Sequence, residues 1–263
     1  MTYDSQADDP YGDLVNPDPA TVTVWSDIGC PWATLALHTL HTAGAERGVE
    51  LLVDHRAFPL ELFNQSPTPK ELVDDEVTVI AGSQPQLGWQ LWHGPFHAYP
   101  ATLLPALEAV QAAKHQTVGG LRASDELDAA LRHAFYVDSR CISVHPVILD
   151  VAEGCESVNH EALAGLLAEG VGRAEVYRHW RIAQGSHVQG SPHVFTAGGF
   201  ASHNPGATYH WTARPPLGFP LQRHGLPVLE SYHPAWAGSL LDSIVETTTS
   251  AVTAPTPSRD ASS

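Results

Sequence analysis

Lysine and positive charge are scarce in this sequence. Its 263 residues include only Lys70 and Lys114 as lysines, and 13 basic side chains stand against 29 acidic ones, for a formal net charge of −16. A protein that follows nucleic-acid phosphates needs a stripe of basic side chains, and an anionic membrane surface attracts the same kind of stripe. We therefore expect neither a nucleic acid nor a membrane among the partners.

Long apolar runs are also absent. No run approaches the roughly 18 residues of a membrane-spanning helix, and the N-terminus lacks the basic start and apolar stretch of a secretory signal. We therefore expect a soluble protein of the cytoplasm. The three cysteines, Cys30, Cys141 and Cys155, are few and odd in number, unlike a disulfide framework. Free thiols are the prediction.

Motifs for metals and nucleotides are missing as well. The 16 histidines include no H-E-x-x-H pattern, and the cysteines form no paired C-x-x-C. Neither glycine-rich phosphate loop, G-x-G-x-x-G or G-x-x-x-x-G-K-[ST], occurs. We expect no metal site and no tightly bound cofactor.

What the sequence does contain is a strand, a helix and a second strand in succession. β-branched and aromatic residues over Thr21–Ser26 predict the first strand, apolar residues at helical spacing after Pro31 predict the helix, and residues 49–58 predict the second strand. The right-handed crossover of such a β-α-β unit pairs its strands in parallel. The later elements predicted are strands at His193–Thr196 and 200–203 and a helix at 234–245.

Between these two parts the pattern is helical, and the ends of the chain are polar. We predict a helical insertion domain over residues 66–185, which interrupts a domain made of residues 20–65 and 186–246. Residues 1–19 and 247–263 have too few large apolar side chains to offset the entropy of ordering, and we predict a disordered or extended tail at 1–19 and a disordered tail at 247–263.

Cys30 lies where the first predicted strand meets the following helix, immediately before Pro31. A sulfur at the start of a helix faces unpaired amide groups and the positive end of the helix dipole, which favour the thiolate. We therefore predict a lowered pKa and a nucleophilic role for Cys30. The alternative interpretation is a small buried packing residue.

Two motifs carry a family resemblance. Residues 30–33 (C-P-W-A) match three positions of the C-P-W-C active site of the DsbA-like branch of the thioredoxin superfamily, and residues 190–195 (G-S-P-H-V-F) are similar to its G-V-P-T-F segment. The chain resembles in particular FrnE-type dithiol-disulfide isomerases, 2-hydroxychromene-2-carboxylate isomerases and kappa-class glutathione transferases. The resemblance implies an α/β thioredoxin-like fold, β-α-β then β-β-α, with a large helical insertion.

The resemblance also implies the site residues. Cys30 takes the catalytic position, and the motif continues through three residues, Pro31, Trp32 and Ala33. The substrate- or thiol-binding segment implied consists of Ser191, Pro192 and His193, with a cis peptide bond before the proline, which faces the cysteine.

Two of these residues have more specific implied roles. The backbone of Ser191 would pair with an extended substrate, as in β-augmentation. His193 would hold the thiolate or shuttle a proton.

Ala33 departs from the family pattern, which has its second cysteine at this position. The internal dithiol couple therefore cannot form here, and a resolving thiol would come from another molecule or from Cys141 or Cys155. A bridge to Cys30 needs Cα atoms within about 4.4–6.8 Å, and the sequence does not establish that distance. Both residues are ordinary packing residues in the alternative interpretation.

An aromatic, irregular stretch over residues 82–100 interrupts the helical part. Its Trp89, Trp92 and Phe96 are candidates for lining a substrate pocket. An accessible aromatic segment also permits a homodimer interface.

Three functions follow from these patterns. The first is a DsbA/FrnE-like thiol-disulfide oxidoreductase or isomerase that works through Cys30 alone, on a small thiol, a small disulfide or a protein disulfide. The second is a transferase, isomerase or reductase that uses glutathione or mycothiol as co-substrate on a small apolar molecule. The third is a non-catalytic binding protein that retains the fold.

Overall fold

A mixed four-stranded sheet organises the part of the chain that the structure, a computed structural model, describes: residues 13–213 and 225–253. Its strands are β1 (Thr21–Ser26), β2 (Leu52–Ala57), β3 (His193–Thr196) and β4 (Ala201–His203). β1 pairs in parallel with β2 and antiparallel with β3, and β4 follows β3 at the edge, so the spatial order is β2-β1-β3-β4. The expected α/β class, with a β-α-β unit and a later hairpin, is confirmed.

Helices cover both faces of this sheet. They are α1 (Pro31–Arg47), α2 (Leu60–Asn64), α3 (Lys70–Ser83), α4 (Leu104–Ala113), α5 (Gly120–Tyr136), α6 (His145–Ala152), α7 (His160–Glu169), α8 (Val171–Ala183) and α9 (Ala235–Thr253). On one face, Val22 and Val24 of β1 share a buried cluster with Leu40 of α1 and Leu241 of α9. Pro31 begins α1 without loss, because the first turn of a helix needs no amide donor there.

Helices α3 to α8 form a second layer with a core of its own. Leu107, Leu127, Leu131 and Ile148 are buried in it, together with Ile28 from the loop after β1. Helices α3 to α8 all lie within the predicted insertion, residues 66–185, and the division into two domains stays a prediction. Ile28 shows that the layer packs directly against the β1–α1 loop.

A two-stranded ribbon was not expected from the sequence. β5 (Ala207–Trp211) and β6 (Pro227–Tyr232) pair antiparallel in a sheet separate from the first. The two strands are 15 residues apart (212–226), so no short turn marks them as a hairpin.

Each predicted tail has an ordered inner part. Leu14 is buried, and its carbonyl oxygen accepts a hydrogen bond from the Trp25 indole at 2.9 Å, so residues 13–19 are not a free tail. Helix α9 continues to Thr253, beyond the predicted end, because each added residue of a formed helix gains one backbone hydrogen bond. Residues 1–12 and 254–263 lie outside the described residues. None of the described helices is long and apolar enough to cross a membrane.

Candidate active site

Cys30 and Ser191, 161 residues apart in the chain, meet at the end of the sheet. Cys30 is the N-cap residue of α1, and its Sγ donates to the Ser191 carbonyl oxygen at 3.1 Å. The Ser191–Pro192 peptide bond is cis, as the resemblance implies. The fold thus brings the two sequence motifs together at one place.

The side chains that follow Cys30 are packed rather than open. Ala33 is fully buried, in one cluster with Cys30, Trp32, Leu35 and Ile80, which we call the Cys30 cluster. Residues 30–33 contain one cysteine, so the start of α1 carries a single thiol.

Trp32 joins the Cys30 cluster to two other elements. Its indole Nε1 donates to Glu76 Oε1 on α3 at 2.8 Å, and its ring stacks on Tyr209 of β5 at a centroid distance of 4.0 Å. The ribbon therefore lies over the cluster, and Cys30 is only 6% exposed.

The thiol of Cys30 is held protonated, contrary to the expectation from the sequence. Burial raises its pKa to about 12, and the nearby carboxyls of Glu76 and Asp27 act in the same direction. The position at the helix start favours the thiolate, but removal of a charged sulfur from water costs more. The predicted lowering of the pKa is therefore wrong for this closed arrangement.

Ser191 is engaged on two sides. Its carbonyl accepts the thiol of Cys30, and its Oγ accepts the Asp27 backbone amide at 2.9 Å. The predicted free backbone for an extended substrate is thus partly occupied: the carbonyl becomes available only when the thiol leaves it.

The described contacts of His193 are with residues other than Cys30. Its Nδ1 accepts the Gln189 backbone amide at 3.1 Å, and its ring stacks on Phe195 at 4.1 Å. Burial, with His203 nearby, lowers the pKa of His193 to about 4, so the imidazole is neutral at pH 7. These contacts support packing, and the predicted role of His193 beside the sulfur stays a prediction.

Asp27 is a buried acid for which the sequence predicted no role. Its Oδ1 accepts the Gly29 amide at 2.7 Å, and its Oδ2 accepts the Leu60 amide at 2.8 Å. Burial raises the pKa of Asp27 to about 6. Its place three residues before Cys30 was the available signal. Glu76, by contrast, lies on α3, and no pattern in the sequence links it to Cys30.

Helix α5 holds the loop between β1 and α1 from the other side. The buried Arg132 donates from Nη1 to the Asp27 carbonyl oxygen at 3.1 Å and to Thr34 Oγ1 at 2.8 Å. Tyr136 Oη donates to the Ile28 carbonyl oxygen at 3.1 Å. No local pattern links these residues to Cys30, so the sequence analysis missed them.

The three predicted pocket residues are not gathered around one cavity. Trp89 stacks on Tyr136 at 4.9 Å and lines a cavity of about 290 Å³ between α1 and α5. Trp92 packs edge-on against Tyr99, whereas Phe96 is 77% exposed. The irregular segment closes over the helical core with its tryptophans and leaves Phe96 at the surface.

All three cysteines, each within the described residues, are free thiols. Cys155 belongs to the core of the helical layer, where burial raises its pKa to about 11, and its Sγ donates to the Val151 carbonyl at 3.7 Å. Cys141 is half-buried. Over residues 13–213 and 225–253, no group of three or more metal-ligating side chains is close enough to hold an ion.

No protein-family model and no curated protein matches this sequence. Among solved structures, a candidate protein disulfide isomerase of Nitrosomonas europaea aligns with a TM-score of 0.56 and 11% identity, over 88% of this chain and 98% of that one. A probable DsbA oxidoreductase of Streptomyces coelicolor aligns with a TM-score of 0.52 and 18% identity, over 92% and 95%. The cytosolic disulfide reductase DsbM of Pseudomonas aeruginosa aligns with a TM-score of 0.48 and 19% identity, over 89% and 100%. The first two matches establish a shared fold, the DsbA-like thioredoxin fold.

Proposed function

We propose, from a DsbA-like thioredoxin fold with one cysteine at its β1–α1 junction, that this protein is a thiol-disulfide oxidoreductase or isomerase that works through Cys30. One observation carries the proposal: the Cys30 thiol lies 3.1 Å from the carbonyl oxygen of the residue that precedes cis-Pro192. A backbone acceptor beside a nucleophilic sulfur is what an extended thiol or disulfide substrate would use for pairing.

The chemistry balances without a second cysteine in the motif. The Cys30 thiolate attacks one sulfur of a disulfide, a Cys30–substrate disulfide forms, and the other sulfur leaves as a thiolate that takes up a proton. A second thiol, from glutathione, mycothiol or the substrate itself, then attacks the substrate sulfur and releases Cys30. The electrons for reduction come from that second thiol; in isomerisation no net electrons move. Ala33 stands where the family has its second cysteine, and Cys141 and Cys155 are free thiols not bonded to Cys30, so we propose that the resolving thiol comes from another molecule.

Access to the sulfur requires movement. Cys30 is buried under the ribbon, where Tyr209 stacks on Trp32, and its proton is held by Ser191. A substrate that displaces the ribbon would rehydrate the sulfur, lower the cost of its charge and free the Ser191 carbonyl in one step. Small thiols, small disulfides or exposed protein disulfides in the cytoplasm are the substrates that we propose.

The proposal is tested by exposure of the full chain to oxidised glutathione and oxidised mycothiol, followed by mass spectrometry of the peptides. We expect a mixed disulfide at Cys30, loss of that adduct in Cys30→Ser, and no loss in the control Cys141→Ser. Adducts confined to Cys141 or Cys155 would contradict the proposal. Absence of any adduct would favour the non-catalytic binding protein, which the high pKa of Cys30 also suits.

A glutathione- or mycothiol-dependent transferase, isomerase or reductase is the second candidate. The cavity of about 290 Å³ favours it, because Leu87 and Trp89 both line that cavity and pack against the Cys30 cluster. A small apolar molecule bound there would lie beside the cysteine rather than on it. Under this function, binding of the reduced thiol, measured by calorimetry, survives Cys30→Ser. Under disulfide exchange, Cys30→Ser abolishes capture of the oxidised thiol.

A further inference from the structure

We propose that Arg132 is a positioning residue for Cys30: it holds the β1–α1 loop from the helical layer and supplies the positive charge that balances the Cys30 thiolate. The inference rests on the proposed function for its purpose, because a thiolate is needed only if Cys30 reacts. Arg132 lies on α5, about a hundred residues from the cysteine, and is 3% exposed.

The guanidinium contacts both ends of the loop. Toward β1, Nη2 donates to Ser26 Oγ at 3.0 Å, and Nη1 donates to the carbonyl oxygens of Asp27 at 3.1 Å and Ile28 at 3.4 Å. Toward α1, Nη1 donates to Thr34 Oγ1 at 2.8 Å. A planar group with several donors in a fixed fork can hold this many acceptors at once, and a lysine ammonium cannot.

Thr34 extends the arrangement to Cys30 itself. Its hydroxyl accepts from Arg132 and donates to the Cys30 carbonyl oxygen at 3.1 Å, one turn back along α1. The guanidinium therefore fixes the backbone on which the cysteine is carried. The acceptors on this side are uncharged carbonyls and hydroxyls, so none of them neutralises the positive charge of Arg132.

One carboxylate faces the guanidinium from its own helix. Asp128, four residues before Arg132, accepts from Nε at 2.6 Å and from Nη2 at 3.2 Å. It orients the fork, because the bidentate pair fixes the plane of the guanidinium. It also shares the charge, so removal of Asp128 alone would make the surroundings of Cys30 more positive.

The charges around the sulfur explain why a cation is needed there. Glu76 and Asp27 are both buried carboxyls close enough to oppose ionisation of Cys30, and Arg132 in turn feels the cysteine charge. A buried negative charge is costly unless an opposite charge compensates it. Among the described residues, Arg132 is a buried cation that meets this requirement.

The test is the rate of alkylation of Cys30 by iodoacetamide in the full chain between pH 7 and pH 10, mapped by mass spectrometry. Below its pKa a thiol reacts in proportion to its thiolate fraction, but a sulfur of higher pKa is also more nucleophilic, so each unit of pKa changes the rate about three- to fourfold. We expect Arg132→Gln to slow the reaction of Cys30 about threefold or more, Arg132→Lys to slow it less, and Asp128→Asn to accelerate it. The matched control Arg122→Gln, on the exposed part of the same helix, should leave the rate unchanged.

The expected rate changes have opposite signs for the Arg132 variants and for Asp128→Asn, and this distinguishes a charge effect from support of the fold. A purely structural role predicts that all three variants loosen the site and accelerate alkylation. Near-ultraviolet circular dichroism identifies the folded variants. A folded Arg132→Gln with an unchanged or faster rate overturns the inference, and so does a slower Asp128→Asn. Iodoacetamide reports thiolate formation whether or not exchange occurs, so failure of the oxidised thiols to react would overturn the proposed function separately.

Discussion

At the scale of single residues, two opposing influences act on Cys30. The start of α1 stabilises a negative sulfur, whereas burial among Trp32, Ala33 and Ile80 makes the same charge costly. Burial wins in the closed arrangement, and the thiol remains protonated. Reactivity at Cys30 is therefore governed by how often its cover opens and by the charges that remain beside it.

Ala33→Cys creates a C-P-W-C motif and is expected to form a disulfide with Cys30. Residues at i and i+3 in a first helical turn are neighbours, and the closure needs only a small local adjustment. After mild oxidation and unfolding, thiol titration should find two free thiols, four cysteines less one bonded pair, against three in the unchanged chain. Ala33→Ser serves as the control, and four remaining thiols in Ala33→Cys would disprove the geometry.

At the scale of elements, the ribbon of β5 and β6 decides access to the site. Over the described residues it forms a sheet separate from β1–β4, and it touches the Cys30 cluster through Tyr209, Leu229 and Tyr232. Movement of the ribbon away from the Cys30 cluster would break side-chain contacts with that cluster. It would leave the strand pairing of the four-stranded sheet intact. Local opening of this kind costs less than global unfolding.

Tyr209→Ala should therefore expose Cys30. Loss of the ring that stacks on Trp32 removes a contact worth about 1 kcal/mol beyond its buried area, and the ribbon opens more often. We expect iodoacetamide to modify Cys30 several-fold faster. His210→Ala, on the neighbouring exposed position of the same strand, is the control. Equal rates for the two variants would mean that the ribbon is not the cover.

The contact between α4 and α8 depends on a glycine. A Cβ added at Gly172 would lie 1.8 Å from the Glu108 carbonyl oxygen, so Gly172→Ala must push the two helices apart. Overpacking of this kind costs about 1–3 kcal/mol. Thermal unfolding should show a lower midpoint for Gly172→Ala. The control Gly165→Ala, in open space on α7, should gain up to about 1 kcal/mol from helix propensity. A stable Gly172→Ala would contradict this close contact.

At the scale of the whole molecule, the layers enclose ionisable groups that tie stability to pH. Burial raises the pKa of Glu76 to about 7 and that of Asp27 to about 6, while it lowers the pKa of His193 to about 4. As pH rises, ionisation of the two acids lowers the free energy of unfolding, whereas deprotonation of His193 raises it. The two effects oppose one another in the total. A single group is visible only by comparison of variants.

Glu76→Gln isolates one of these groups. The folded pKa of Glu76 lies above its unfolded value, so its favourable contribution is complete below about pH 4.5 and is lost as pH rises through about 7. Glutamine keeps an acceptor for Trp32 and carries no charge. We expect the free energy of unfolding of Glu76→Gln, relative to the unchanged chain, to increase between pH 5 and pH 8 by up to a few kcal/mol. Denaturant unfolding measures it, with the exposed Glu71→Gln as control. A pH-independent difference would contradict the raised pKa.

The sequence by itself determined the features that depend on neighbours in the chain. Strand-forming runs and helical spacing placed β1, α1, β2 and the strands β3 and β4, and the proline after Cys30 located the start of α1, because backbone conformation responds to local side chains. The family-like motifs then predicted that Cys30 and Pro192 belong together. Strand β5 and strand β6 lay beyond this reach, since no short turn joins them.

Only the tertiary structure decided what surrounds the sulfur. Arg132, Glu76 and Tyr209 reach the Cys30 region from α5, α3 and the ribbon, and no spacing in the sequence relates them to it. The direction of the pKa of Cys30 likewise followed from packing, because desolvation is a property of all the atoms that exclude water. Local chemistry placed a cysteine at the start of a helix, and the assembled layers decided when that cysteine can carry a charge.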